Sequence, residues 1–156
     1  MKSSIMAGAA ALAFLGYSTA GLADDRLVRF EGGIGEIPVS TPATPNVVRG
    51  VSPGGQPWVI SRLSADVRSD GRISVEGRGL LLAGGNGIGT NGNQSVRAML
   101  FCGAASFTSE LVALEPDGDF RIDGMLNATP PDPCDNPALL IVNAGGRWFA
   151  AGIPKQ

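Results

Sequence analysis

The sequence predicts an all-β fold, a single antiparallel β-sandwich or barrel-like domain that follows a cleaved signal peptide. Three observations predict it. The chain of 156 residues carries 23 Gly and 11 Pro, spread along its length. Beyond residue 24, apolar residues do not recur at helical spacing over three turns. Short alternating runs bounded by Gly, Asp and Pro clusters take their place.

The first 23 residues read as a signal peptide. Met1-Lys2 gives a charged start, Ile5 to Leu15 an apolar run, and Gly21-Leu22-Ala23 a small-x-small cleavage site before Asp24-Asp25. Cleavage is expected after Ala23, with Ala20 as the second choice. The apolar run is shorter than the ~20 residues of a membrane span. No later run is longer, so no membrane span is expected after cleavage. The product is expected in a periplasm or outside the cell, and residues 24–156 suit one β domain.

Leu27–Phe30 reads as the first strand and Ile37–Val39 as a second. Residues 40–56, rich in Ser, Thr, Pro and Gly, form a long connection. A hairpin then joins Pro57–Arg68 to Arg72–Leu82 through Ser69-Asp70-Gly71. The three-residue loop places Gly71 where a left-handed residue is needed. Val67 then faces Ile73 and Ala65 faces Val75 on one side. Arg62, Ser64 and Arg68 face Arg78, Glu76 and Arg72 on the other. A two-residue loop would scramble these faces. Val96–Cys102 is another strand.

The second hairpin, Phe107–Glu115 with Asp119–Leu126, turns at Pro116-Asp117-Gly118 and pairs Leu114 with Phe120 and Val112 with Ile122. Residues 127–137 form a second connection, stiffened by Pro130, Pro131, Pro133 and Pro137. The third hairpin, Ala138–Asn143 with Arg147–Ile153, turns at Ala144-Gly145-Gly146. Both of its strands are apolar on both faces, which places them in the middle of a wall.

Several stretches carry a resemblance. They are Phe30-Glu31-Gly32-Gly33-Ile34-Gly35, Gly50-Val51-Ser52-Pro53-Gly54-Gly55-Gln56-Pro57-Trp58, Gly77-Arg78-Gly79-Leu80-Leu81-Leu82, Gly118-Asp119-Phe120-Arg121-Ile122-Asp123 and Trp148-Phe149-Ala150-Ala151-Gly152-Ile153. Together they resemble a group of small exported bacterial proteins of unknown function. The resemblance covers most of the chain after residue 23. It implies a bacterial source and an exported product, and it carries over no activity and no site residue.

The residue inventory excludes several chemistries. There is no His, so Ser-His-Asp and Cys-His sites cannot form. The single Tyr is Tyr17 in the leader, and the one Lys beyond it is Lys155. A net charge of −2 gives no basic footprint, so no nucleic-acid partner is expected. No catalytic residue, no cofactor and no metal site is assigned. The expected function is an exported, non-catalytic binding or structural module for an unidentified envelope or extracellular partner. The alternatives are a carboxylate-based envelope hydrolase and an accessory subunit that pairs through a strand edge.

Candidate sites follow. An even cysteine count in an exported chain points to a Cys102–Cys134 disulfide, and no His exists to complete a rival metal site. Closing a loop of ~33 residues would contribute about 3–4 kcal/mol in the chain-entropy model. The Gly-rich loop 83–94 offers Asn86, Gly87, Ile88, Gly89, Thr90 and Asn91 as a contact surface. Gly87–Gly92 matches G-x-G-x-x-G, but a strand rather than a helix follows, so a dinucleotide site is not expected. Glu115, Asp117 and Asp119 crowd one turn, either as a solvated tip or as a weak Ca²⁺ site. Trp148 reads as core, and Trp58 as core or as an exposed binding ring. The leader yields the first prediction: the full chain, expressed in a secreting bacterium, should leave the cytoplasm with Asp24 as its N-terminus. N-terminal sequencing that finds Met1 on cytoplasmic material would refute it.

Overall fold

The computed structural model describes residues 25–41 and 44–156. The expected signal peptide and its cleavage point lie outside them. The described residues contain strands and turns and no helix. In chain order the strands are β1 (Arg26–Gly35), β2 (Val39–Thr41), β3 (Thr44–Pro45), β4 (Trp58–Val59), β5 (Arg62–Arg68), β6 (Arg72–Arg78) and β7 (Leu81–Leu82). Then follow β8 (Ser95–Cys102), β9 (Ala105–Thr108), β10 (Val112–Ala113), β11 (Phe120–Met125), β12 (Ala138–Asn143) and β13 (Trp148–Pro154). One antiparallel sheet runs β10-β8-β12-β13-β1-β5-β6-β11, with β9 also on β8. Two small sheets pair β2 with β3 and β4 with β7.

The first hairpin has the expected register. Val67 pairs with Ile73, Ala65 with Val75, Ser64 with Glu76 and Arg62 with Arg78. Gly71 has φ +92, the left-handed turn residue. Val67, Ile73, Ala65 and Val75 are buried, while Arg62, Arg68, Arg72 and Arg78 face solvent. The outward arginines make exposed ion pairs, Arg68 with Asp25 at 3.0 Å and Arg78 with Glu76 at 2.7 Å. Such exposed pairs are screened by solvent and add little to stability. The hairpin is shorter than expected, because β4 and β7 separate from it and pair with each other.

The second hairpin is corrected. Its turn forms, with Gly118 at φ +83 and the Glu115 N–H donating to Asp119 O at 2.9 Å. Its strands then part. Val112 pairs with Val96, not Ile122, and Ile122 pairs with Val75. Phe120 lies opposite Gly77 instead of Leu114, and its ring occupies the space a Gly77 side chain would need. β11 pairs along its whole length with β6, and β9 and β10 pair with β8, with the same face inward. The expected strand Phe107–Glu115 is interrupted. At the break the Ser109 N–H donates to Ala98 O, and the buried Ser109 hydroxyl accepts from the Ala98 N–H at 2.9 Å. One extra residue fits there as a bulge.

This parting curls the sheet. Its end strands β10 and β11 are consecutive in the chain and joined by the tight turn at 114–119. At the other end of the same seam, the Asn127 N–H donates to Thr108 O and the Asn127 side chain accepts from the Thr108 N–H. The inner face holds the main core, with Phe30, Leu63, Val75, Leu100, Leu139 and Ile141 at 0–1% exposure.

β12 and β13 lie in mid-sheet, as their composition requires, and they are buried on both faces. The outer face forms a second small core of Phe101, Leu140, Val142 and Trp148. Its cover is the connection expected at 40–56, whose residues 46–56 cross β12–β13 as a strap. Val48 and Val51 pack beneath it. The Trp148 indole N–H donates to Asn46 O at 2.9 Å. Arg49 donates to Gly103 O and Asn136 O, tying the strap to the disulfide-bearing end.

The first turn supports a stability prediction. Gly71→Val should destabilise the protein by more than about 1 kcal/mol, because a β-branched residue is strained at positive φ. The strain is in the backbone, since a Cβ there meets nothing closer than 3.6 Å. Gly124 has open space around it and no positive φ, so Gly124→Val should cost little. Equal losses in denaturant titrations of the two variants would refute the turn geometry.

Candidate functional site

β1 ends where three segments converge. The Glu36 N–H donates to Phe149 O at 2.9 Å, and the Trp58 N–H donates to Glu36 O at 3.0 Å. Glu36 thus carries the β1–β13 ladder one residue further and passes the edge to β4. Gly35 allows the crossing, because a Cβ there would stand 2.8 Å from Val59 Cα. β4 then lays the Trp58 ring on Phe149, with centroids 4.1 Å apart and planes 16° apart.

The strap passes outside this stack. The Trp148 N–H donates to Ser52 O at 3.1 Å, and the Gly54 N–H donates to Trp148 O at 3.2 Å. Gly54 is the one residue type that fits. A Cβ would stand 2.9 Å from both Glu36 Oε2 and Phe149 Cε1.

Between the strap and the ends of β8, β12 and β13 lies an open groove of about 370 Å³. The strap lines it with Gly54, Gly55 and Gln56, beside Trp58 and Phe149, and the polar side chains of Gln94, Asn143 and Arg147 also reach it. Both rings are under 5% exposed, so the groove meets their edges. Its accessible chemistry is polar and planar. Asn143 donates to the Gln94 carbonyl at 3.4 Å, and the Arg147 guanidinium donates to Pro53 O at 3.3 Å. Arg147 is exposed, and no carboxylate pairs with it among the described residues.

Two other hollows are lined mainly by charges that pair with one another. One of about 380 Å³ lies among Asp25, Arg26, Asp66 and Arg68, which pair with one another. Another of about 260 Å³ lies between Arg78, Glu76 and Asp119, also paired.

Behind the groove wall sits Glu36. It is fully buried, and neither carboxyl oxygen has a hydrogen-bond partner. Burial pushes the carboxyl up to about 7. The Gly54 amide opposes this only partly, because its hydrogen bond goes to Trp148 O.

The sequence-derived sites lie as follows. Cys102 and Cys134 form a disulfide with Cα atoms 4.8 Å apart. Asn86, Gly87, Ile88, Gly89 and Thr90 form a turn folded onto Leu82, whose N–H donates to Thr90 O and whose O accepts from Gly89. Ile88 projects at 64% exposure. Asn91 points away from the tip and donates to Leu114 O and Glu115 O. The flank of this loop, Gly92 and Gln94, reaches the groove. At the acidic turn, Asp119 accepts from the Gly79 N–H at 3.0 Å, and Asp117 accepts from the Asp119 N–H. Among the described residues, no group of three or more His, Cys, Asp or Glu is placed to hold a metal ion.

Trp58 is corrected as a candidate exposed ring, because its stacking on Phe149 leaves it 4% exposed. Trp148 is core, also at 4%. Sequence reasoning missed Glu36, Gln94, Asn143, Arg147 and Phe149. The one local signal was a lone carboxylate among apolar and glycine neighbours at Gly35-Glu36-Ile37.

The disulfide fits an oxidising compartment. Among the described residues, no helix is long and apolar enough to cross a membrane. No protein family, curated protein or solved structure matches the chain.

Glu36 makes stability depend on pH. Unfolded, it titrates near 4.5, and folded near 7. Below 4.5 both states hold the proton and the carboxyl costs nothing. Between about 4.5 and 7 the unfolded chain gives up the proton while the folded state keeps it, so the folded state loses roughly 3 kcal/mol over that window and no more above it. Glu36→Gln should therefore match the wild type near pH 4 and exceed it in stability above pH 7. Parallel pH–stability curves for the two proteins would refute this.

Proposed function

We propose that the protein is an exported, non-catalytic binding module that takes a small polar ligand carrying a carboxylate in the groove beside Trp58 and Phe149. The observation that carries this reading is Arg147. It is an exposed guanidinium without an acidic partner among the described residues, set beside the amides of Gln56, Gln94 and Asn143. A guanidinium fork suits a carboxylate, and planar amides suit hydroxyl and carbonyl groups. The volume lies at the small end of the range for ligand pockets. The leader pattern and the disulfide support export to a periplasm or the exterior of a bacterium.

The hydrolase reading would rest on Glu36, whose carboxyl is held toward neutrality. Glu36 is sealed behind Gly54 and out of contact with the groove, which favours binding over catalysis. The strand-edge reading is favoured less, because the end strands of the curled sheet are tied to each other by the Glu115–Asp119 bond and by the Thr108–Asn127 bonds.

The test is a titration of the exported protein, followed by residue-resolved NMR. The probes are glucuronate and N-acetylmuramate, with glucose and N-acetylglucosamine as neutral controls. The acids should shift Gln94, Asn143 and Arg147 and bind more tightly than the controls. Arg147→Ala should weaken the acids by about tenfold or more, since a hydrogen bond to a charged group contributes about 1.5–3 kcal/mol. Gln94→Ala should weaken acids and controls alike. Absence of shifts in the groove, or acid binding indifferent to Arg147→Ala, would overturn the reading.

A further inference from the structure

The groove wall formed by the strap is also the lid over Glu36. Gly54 lines the groove on one side and meets the Glu36 carboxyl on the other. The two sides share one stretch of backbone, so what happens to the carboxyl is felt in the groove.

The strap is unevenly held. Its first half is pinned by the Trp148 indole on Asn46 O, and by Arg49 on Gly103 O and Asn136 O at 3.0 and 2.8 Å. Its second half rests on two longer backbone bonds, at 3.1 and 3.2 Å, and on Arg147 to Pro53 O at 3.3 Å. Gly54-Gly55 lies at this weaker end, between Ser52 and Pro57, whose O accepts from the Ala83 N–H at 2.8 Å, and two glycines restrict the backbone least.

A neutral carboxyl is tolerated under that lid at modest cost. An ionised one is not, because the nearest donor, the Gly54 amide, is already held by Trp148 O, and a buried charge so poorly solvated carries a large desolvation penalty. The surroundings supply no counter-charge. Residues 52–57 of the strap and strand β4 carry no titratable side chain. On β13 the adjoining charges are Arg147, which reaches Pro53 O, and Lys155, which pairs with Glu31. On β1, Arg26 pairs with Asp66, and Arg29 adds to the field at Glu31. Water is the remaining source of donors, and it enters by displacing Gly54 and Gly55.

We propose that Glu36 is a proton-operated latch on the groove: with its carboxyl neutral the strap seats and the wall of Gly54, Gly55 and Gln56 is complete, and on ionisation the strap lifts and the wall is lost. The latch regulates the site named above and rests on that reading for its role in binding. Ligand retention is then strongest in acid and weakens as the surroundings turn alkaline.

The test is hydrogen exchange by NMR on the ligand-free exported protein, at about pH 5.5 and pH 8 and expressed as protection factors, which remove the intrinsic pH effect. The Gly54 and Trp148 amides should lose roughly tenfold or more of their protection between the two values. At pH 8 they should exchange well ahead of Val75 in the β5–β6–β11 core. Glu36→Gln should abolish the loss, and Glu36→Met, which removes the polar head as well, should do the same. Glucuronate should bind the wild type several-fold more weakly at pH 8, and the two variants equally at both values.

Protection unchanged with pH, a change that survives both variants, or strap amides exchanging in step with Val75 would each overturn the latch. Glucuronate affinity that stays constant while the strap responds would overturn its regulatory role. If no probe binds at either pH, the groove reading falls and the regulatory role falls with it. The exchange data still decide whether the latch itself exists.

Discussion

A strand that is apolar on both faces has to be covered twice. β12 and β13 impose that demand at the middle of the sheet. The inner face is met by the curl of the sheet itself, which wraps β5, β6 and β11 around to face β8. The outer face has no second sheet to meet it, and the segment available is the connection between β1 and β4. Val48, Val51 and the backbone around Trp148 turn that connection into a fixed strap. The remaining features of this end follow. The strap closes over Glu36, forms one wall of the groove, and through Arg49 reaches the loops beside Cys102 and Cys134. A sequence feature of four or five residues, read as deep burial, thus organises the surface above it.

The first hairpin was legible because its information is local. Alternation set the faces, the Ser69-Asp70-Gly71 loop set the register, and neither depends on distant residues. The second hairpin shows where such reasoning stops. Pairing Val112 with Ile122 or with Val96 buries the same side chains, so alternation cannot choose between them. The choice is made by β6 and β8, which the sheet already holds through β5 and β12 and whose other edges take β11 and β9–β10. The fold class and the disulfide survive this error, because they rest on composition and on cysteine count rather than on partner choice.

The groove was illegible for a related reason. Its residues come from positions 54–58, 82, 92–94 and 143–149, and no stretch of the chain holds more than a fragment of it. Glu36 was hidden by the backbone. Gly32, with φ +97, shifts the register of β1 against β13 between Phe30 and Gly33. A period-two reading from Phe30 therefore misplaces Ile34, which is exposed, and gives no firm ground for placing a carboxylate such as Glu36 inward two residues later. Arg147 was visible only as a turn residue before Trp148. Its significance comes from having no acidic neighbour while the arginines of β5 and β6 are largely paired, which is a property of the folded surface.

The pairing of β1 with β13 has a consequence for how the chain is made. Residues 26–35 sit between β5 and β13, so one side of the first strand stays unfilled until the last residues of the chain arrive. The Lys155 N–H donating to Arg29 O shows how late that closure comes. A chain made N-terminus first cannot complete this sheet until β13 is free to pair. Until then it holds an open ladder, with β-rich segments exposed. Contacts of this sequence separation also slow the final step. In the interval before β13 docks, the chain depends on its glycines, its prolines and its outward arginines to keep from pairing with its neighbours.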